Sequence, residues 1–211
     1  MGTGVARSPV TVVTGTIPGR EQLLGECIAS VFAQTHEVEG HVIYAQSCTE
    51  GLWPPHHVAL QQNVALAAVE TTWTMRLADD DKLLPNHIET LEPYFDSADV
   101  IYSYDATDNL PRFDCTSMPQ ADLIDKLSTY NWIDGSAVAI RTEALRDVGG
   151  WPTDWDGNHH RRGGKFHSTG LPAEDWSCFF SLAKLGARFR CVPALTWEYG
   201  VNHSSLRSSN M

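Results

Sequence analysis

Four strand-like segments alternate with helix-like ones over the first 104 residues, and that order admits few folds. Pro9 to Thr14 (PVTVVT) is a continuous β-branched run, as a strand buried on both faces requires. Residues 20–33 then place Leu23, Leu24, Cys27, Ile28, Val31 and Phe32 on one helical stripe. His41 to Ala45 reads as a second strand, roughly His56 to Val69 as an Ala-rich helix, and Trp73 to Leu77 as a third strand. Pro85 suits the first turn of the next helix, behind which Ile88, Leu91, Tyr94 and Phe95 keep helical spacing. Asp99 to Tyr104 closes the fourth unit. This β-α-β-α-β-α-β order predicts an α/β fold with a mostly parallel central sheet flanked by helices. Ligands of such sheets sit beyond the carboxyl ends of the strands, and the acidic run Asp79-Asp80-Asp81 follows the third strand directly.

The second half is less regular and predicts a small mixed portion. Asp105 to Gln120 reads as a loop, Ile133 to Ile140 as a strand, and Gly149-Gly150-Trp151-Pro152 as a turn. Asp154 to Gly170 carries His159, His160, Arg161, Arg162, Lys165 and His167 among glycines, and reads as a mobile basic loop. A helix is expected from near Pro172, with Glu174 and Asp175 in its first turn and Trp176, Phe179, Phe180 and Ala183 as its buried stripe. Two short strands, Arg188 to Val192 and Leu195 to Tyr199, follow. No linker divides the 211 residues, so one domain is expected over 1–211.

Charge and cysteine content narrow the function classes. Lys and Arg number 15 against 26 Asp and Glu, a net charge of −11. Such a surface disfavours non-specific binding to nucleic acid or anionic lipid. It leaves room for a small anionic ligand held through a metal ion. No stretch is apolar and long enough for a membrane span. Met1 to Pro9 lacks the apolar run of a signal peptide, and Ala6 stands where myristoylation needs Ser or Thr. Five widely spaced cysteines without a CxxC pair argue against a disulfide framework or zinc knuckle. A cytoplasmic location is the expectation.

Several residues are candidates for chemistry. Three adjacent carboxylates at a strand end repel one another, and a Mg²⁺ or Mn²⁺ ion shared with substrate phosphates would relieve them. A solvated acidic turn accounts for the same residues. Glu174 and Asp175 complement a helix N-terminus, which also favours the ionised form that a general base needs. His203 is either solvated or a metal ligand. The 159–167 cluster is either a solvated loop or a lid over a diphosphate. No GxxxxGK[ST], GxGxxG or GxSxG run is present.

The motifs in their order resemble the GT-A-fold glycosyltransferases of the family 2 type. Val10 to Arg20 takes the place of the opening strand and its P-T-Y-N-R-like turn, and Ser30-Val31-Phe32-Ala33-Gln34-Thr35 that of S-(I/V)-x-x-Q-(T/S). Gln62-Asn63-Val64-Ala65-Leu66 matches the Asn before an Ala-rich helix end, and Leu77 to Pro85 matches L-D-x-D-D-x-L-x-P. Gly135 to Arg141, Val148 to Trp151, Glu174-Asp175-Trp176 and His203-Ser204 match the later motifs.

The resemblance implies a single GT-A, Rossmann-like domain. Its nucleotide-binding half would span about 9–104 and its acceptor and catalytic half about 105–203. It implies a metal-dependent inverting transfer of sugar from a UDP- or GDP-sugar to a hydroxyl on a protein, glycan, lipid-linked precursor or modified base. Asp175 would be the base, with Glu174 its neighbour. Asp80, Asp81 and His203 would hold Mn²⁺ or Mg²⁺. Gly15, Thr16, Ile17, Arg20, Gln46, Asn63, Asp79 and Asp80 would line the donor, and Gly135, Ser136 and Trp151 the sugar and acceptor. The sequence departs from the pattern at Ala78, at Ile17-Pro18 and at Gln46. Two other readings stand beside this one: a nucleotide-sugar-binding module without turnover, and a nucleotidyltransferase. The latter needs a Gly-rich, Arg-containing loop that Gly15 to Arg20 imitates poorly.

Overall fold

The computed structural model describes residues 9–45, 57–107, 113–153 and 173–200. Seven strands form one sheet: β1 (Val10–Thr16), β2 (Gly40–Ala45), β3 (Trp73–Arg76), β4 (Lys82–Leu83), β5 (Val100–Asp105), β6 (Val138–Arg141) and β7 (Phe189–Glu198). Their order across the sheet is β2-β1-β3-β6-β5-β7-β4. The helices are α1 (Glu21–Phe32), α2 (His57–Ala67), α3 (His87–Leu91, continued by a 3₁₀ turn over Glu92–Tyr94), α4 (Gln120–Leu127), α5 (Thr142–Asp147) and α6 (Glu174–Leu185).

The expected α/β architecture is present. Parallel pairing joins β1 to β2, β1 to β3 and β5 to β7. Antiparallel pairing joins β3 to β6, β5 to β6 and β4 to β7. The first three strands thus form the parallel wing, and β6 enters beside β3 against their run.

Strand alternation sorts the core into two layers. Val10 and Val12 of β1, with Ala139 of β6, face Cys27 and Val31 of α1 and Ile88 and Leu91 of α3. Val13, Val138 and Ile140 face the other way, toward α2, α4, α5 and α6. No helix of the described residues is long and apolar enough to cross a membrane.

Several local expectations are corrected. Phe32 is 81% exposed, because α1 ends there and its buried seam is Cys27 and Val31. In α6, Phe179 and Ala183 are buried with Cys178 and Leu182, while Trp176 and Phe180 lie half-buried at the edge of that core. Residues 133–137 are not strand. Pairing with β3 begins only at Val138, after Ala137 turns the backbone through φ 56°. The two short late strands are one strand, β7, whose register slips against Tyr102, Tyr104 and Asp105. The helices α4 and α5 add to those read from the sequence. The described cysteines Cys27, Cys115, Cys178 and Cys191 are free and buried.

Candidate active site

Register brings the first and third strands together at their carboxyl ends. Val13 pairs with Arg76 in parallel, and Leu77 N–H donates to Val13 O at 3.0 Å. Three residues further along each chain, Thr16 Oγ1 donates to Asp79 Oδ2 at 2.6 Å. Arg20, at the start of α1, adds Nε to Asp79 Oδ2 at 2.8 Å and Nη2 to Asp79 Oδ1 at 2.8 Å. The same Nη2 lies 2.7 Å from Asp80 Oδ2. A hydroxyl and a guanidinium therefore offset the repulsion between the first two acids of the triplet.

The three acids have three different surroundings. Asp79 is buried against Thr16 and Arg20. Asp80 is half-buried and lines a cleft of about 490 Å³ with Arg20, Leu23, Glu26, Lys82 and Tyr199. Asp81 is 1% exposed and accepts from Gly200 N–H at 2.9 Å and from the Ser136 hydroxyl. Burial pushes its carboxyl up to about 7 against those two hydrogen bonds, and the charge of Asp80 adds to the rise.

The second carboxylate group opens α6. Glu174 is buried, and its Oε1 accepts from Arg76 Nη2 at 3.0 Å. Asp175 Oδ1 accepts the Trp176 N–H at 2.6 Å. Burial raises the Asp175 carboxyl to about 6, with the Glu174 charge adding to the rise and the Arg76 charge opposing it.

Residues 134–136 join the two groups. Ser136 Oγ accepts the Ala78 N–H at 3.0 Å while its hydroxyl donates to Asp81. A Cβ on Gly135 would fall inside contact distance of Asp175 Oδ2 and 2.9 Å from Arg76 Nη1, so only glycine lets these side chains approach the backbone. Ala137 takes the left-handed backbone region, which disfavours residues with a Cβ. Its N–H bond to Arg76 O at 2.7 Å holds it there.

The structure therefore brings Thr16, Arg20, Asp79, Asp80, Asp81, Gly135, Ser136, Glu174 and Asp175 to one end of the sheet. Ile17 is half-buried just beyond β1. Gly15 lies in β1 against the side chain of Gln61, whose Nε2 donates to Thr16 O at 2.9 Å. Asn63 and Trp151 form a separate pair. Asn63 Nδ2 donates to Trp151 O at 2.7 Å and Oδ1 accepts the Trp151 N–H at 2.8 Å. The indole of Trp151 is 1% exposed in the α2–α6 side of the core, so it packs rather than lining the cleft. Gln46, His203 and the basic segment 154–170 lie outside the described residues.

Sequence reasoning missed Arg76, Gln61 and Gly200. Arg76 was the detectable one, as the only charge in an otherwise uncharged strand.

A divalent ion fits the donor set in part. Among the described residues no three His, Cys, Asp or Glu side chains are grouped as a metal site. Both Asp79 oxygens are engaged by Arg20 and Thr16, which leaves Asp80 at the cleft wall as the accessible oxygen donor. Asp81 lies behind it with a carboxyl raised by burial, a state that a nearby cation would reverse.

No family model matches the chain, and no curated protein is similar to it in sequence. Its fold is similar to that of solved structures with nucleotide sugars bound. S. aureus TarS 1-349 in complex with UDP-GlcNAc superposes with a TM-score of 0.63 at 14% identity, covering 96% of this chain and 61% of that one. The mannosyltransferase PcManGT from Pyrobaculum calidifontis, in complex with GDP-Man and Mn²⁺, gives 0.61 at 14% identity, covering 95% and 59%. The chain thus spans about three fifths of the length of these structures. The likeness establishes a GT-A-like fold.

Proposed function

We propose that the chain is a metal-dependent, inverting glycosyltransferase of the family 2 type, acting in the cytoplasm on a nucleotide-diphosphate sugar and a hydroxyl acceptor. One observation carries the reading. The Gly135-Ser136 segment touches Asp81 through Ser136 and Asp175 across Gly135, so the acidic run that follows β3 and the carboxylates opening α6 lie on two sides of one seam. Glycosyl transfer by single displacement needs such a pair of stations, one for the leaving diphosphate and one for the incoming hydroxyl. The structures with UDP-GlcNAc and GDP-Man support a nucleotide-sugar donor, and the one with Mn²⁺ supports a divalent metal.

Thr16, Arg20 and Asp79 would hold the donor at the end of β1. Asp80, with Asp81 behind it and His203 from outside the described residues, would hold Mn²⁺ or Mg²⁺. That ion, when bound, supplies charge neutralisation to the leaving diphosphate. Asp175 takes the proton of the acceptor hydroxyl as its oxygen bonds to the anomeric carbon. The bond from that carbon to the phosphate oxygen breaks, and its electron pair leaves with the nucleoside diphosphate. Attack from the face opposite the leaving group inverts the configuration.

The test is transfer and donor hydrolysis with Mn²⁺ for the wild type and Asp175→Asn. Transfer should fall about 10²–10⁴-fold in the variant, and undiminished transfer removes Asp175 from the base role. The bridge from Arg20 to both Asp79 and Asp80 favours a second reading, because a built-in cation already neutralises the acids. In that reading the chain binds nucleotide sugars without turnover. Thermal-shift titration with UDP- and GDP-sugars plus Mn²⁺, showing binding and no transfer to any acceptor class, would select it.

A further inference from the structure

Arg76 closes β3, and none of the roles assigned above uses it. Its Nη2 lies 3.0 Å from Glu174 Oε1, with the two side chains only 11% and 12% exposed. Its Nε and Nη1 are buried without a hydrogen-bond partner among the described residues. Nη1 faces the same small volume beside Gly135 that Asp175 Oδ2 faces. A buried guanidinium with one carboxylate partner carries a desolvation cost that a purely structural strand residue would avoid.

We infer that Arg76 is a positioning residue for Asp175: it pins Glu174 and holds Asp175 ionised across the gap left by Gly135. The kinetic consequence rests on the transferase reading; the electrostatic one does not. Among the described residues, the charged and titratable groups facing Asp175 are Glu174 and Cys178 from its own helix, Arg76 from β3 and Asp134 from the loop before β6. Glu174 and Asp134 oppose its negative charge, Arg76 supports it, and burial keeps the Cys178 thiol protonated. Gly135 belongs to the device, since any side chain there would occupy the space through which the pair interacts.

The experiment follows the Asp175 carboxyl directly, by ¹³C NMR titration of protein labelled at aspartate carboxyls, with the signal assigned by its loss in Asp175→Asn. In Arg76→Gln the midpoint should rise by roughly 1–3 pH units. The acid limb of kcat/KM should move with it. Activity lost at neutral pH should then return at higher pH, with donor KM unchanged. Arg76→Lys should shift less, because it keeps the charge. An unmoved midpoint in folded Arg76→Gln overturns the inference. If Arg76→Gln alone does not fold, the comparison is made in Glu174→Gln, where no buried carboxylate is left without its guanidinium: adding Arg76→Gln to that variant should raise the Asp175 midpoint, and an unmoved or falling midpoint overturns the inference. A wild type that titrates as expected yet turns over no donor sinks the transferase reading and leaves the role of Arg76 standing. An active wild type with an unmoved midpoint in Arg76→Gln does the reverse.

Discussion

Arg20 grips Asp79 along both edges of the carboxylate, with Nε 2.8 Å from Oδ2 and Nη2 2.8 Å from Oδ1. The same Nη2 extends to Asp80 Oδ2 at 2.7 Å, so one guanidinium stands where a strand-end cation would act. Arg20→Gln should therefore do two things. It should cost about 1.5–3 kcal/mol in urea unfolding in EDTA, because a buried carboxylate loses its charged donors. It should also strengthen donor-free Mn²⁺ binding by calorimetry, since Asp80 loses its competing cation. Unchanged or weaker Mn²⁺ binding would show that Asp80 is not an ion site.

Asp81 makes stability depend on pH in a defined direction. Its folded carboxyl titrates near 7 against an ordinary value of 3.8. The folded state thus holds the proton more tightly than the unfolded chain, and the advantage is present in acid and lost as pH rises through about 7. Asp81→Asn has no such proton. Relative to wild type it should gain roughly 2 kcal/mol between pH 5 and pH 8, in urea titrations with EDTA. A difference that does not vary with pH would remove the buried-acid assignment.

Gly135→Ala tests the seam between the two carboxylate groups. The new methyl would displace Asp175 and Arg76 from one small volume. Overpacking of this kind costs typically 1–3 kcal/mol. The kinetic expectation is more specific: kcat falls at least tenfold while donor binding holds, because Thr16 and Arg20 still hold Asp79. A fall in donor affinity with kcat preserved would place Gly135 on the donor side instead.

Asn63→Ala should weaken the fold without weakening donor binding. Two hydrogen bonds to the Trp151 backbone, at 2.7 and 2.8 Å, are lost, and two buried backbone groups lose their partners. The expected cost is about 2–3 kcal/mol by urea unfolding. Gly150→Ala should be at least as damaging, since its φ of 81° disfavours a side chain and the Cβ would collide with the Asn63 amide. Loss of nucleotide-sugar affinity in Asn63→Ala at unchanged stability would support the donor-lining role expected of Asn63.

The alternation of β-branched runs with amphipathic stripes made β1, α1, β2, α2, β3, α3 and β5 readable, because hydrophobic period is a local property. The same locality exposed Asp79-Asp80-Asp81 and Glu174-Asp175 as unusual clusters at element ends. Phe32, expected in the buried stripe of α1, is 81% exposed for a matching reason. Period says that a residue is apolar, and only the neighbouring elements decide whether it is covered or whether it faces a cleft.

By itself, then, the chain determined its class of fold and which acids to suspect, since both are written in spacing along one dimension. The tertiary structure decided which of them meet. The parallel register of β1 on β3 sets Thr16 beside Asp79, and antiparallel entry of β6 carries Ser136 to Asp81 and Gly135 to Asp175. It also gave Arg76 its place among the carboxylates. Pairing between segments far apart in sequence depends on register and strand order, and no local pattern encodes those.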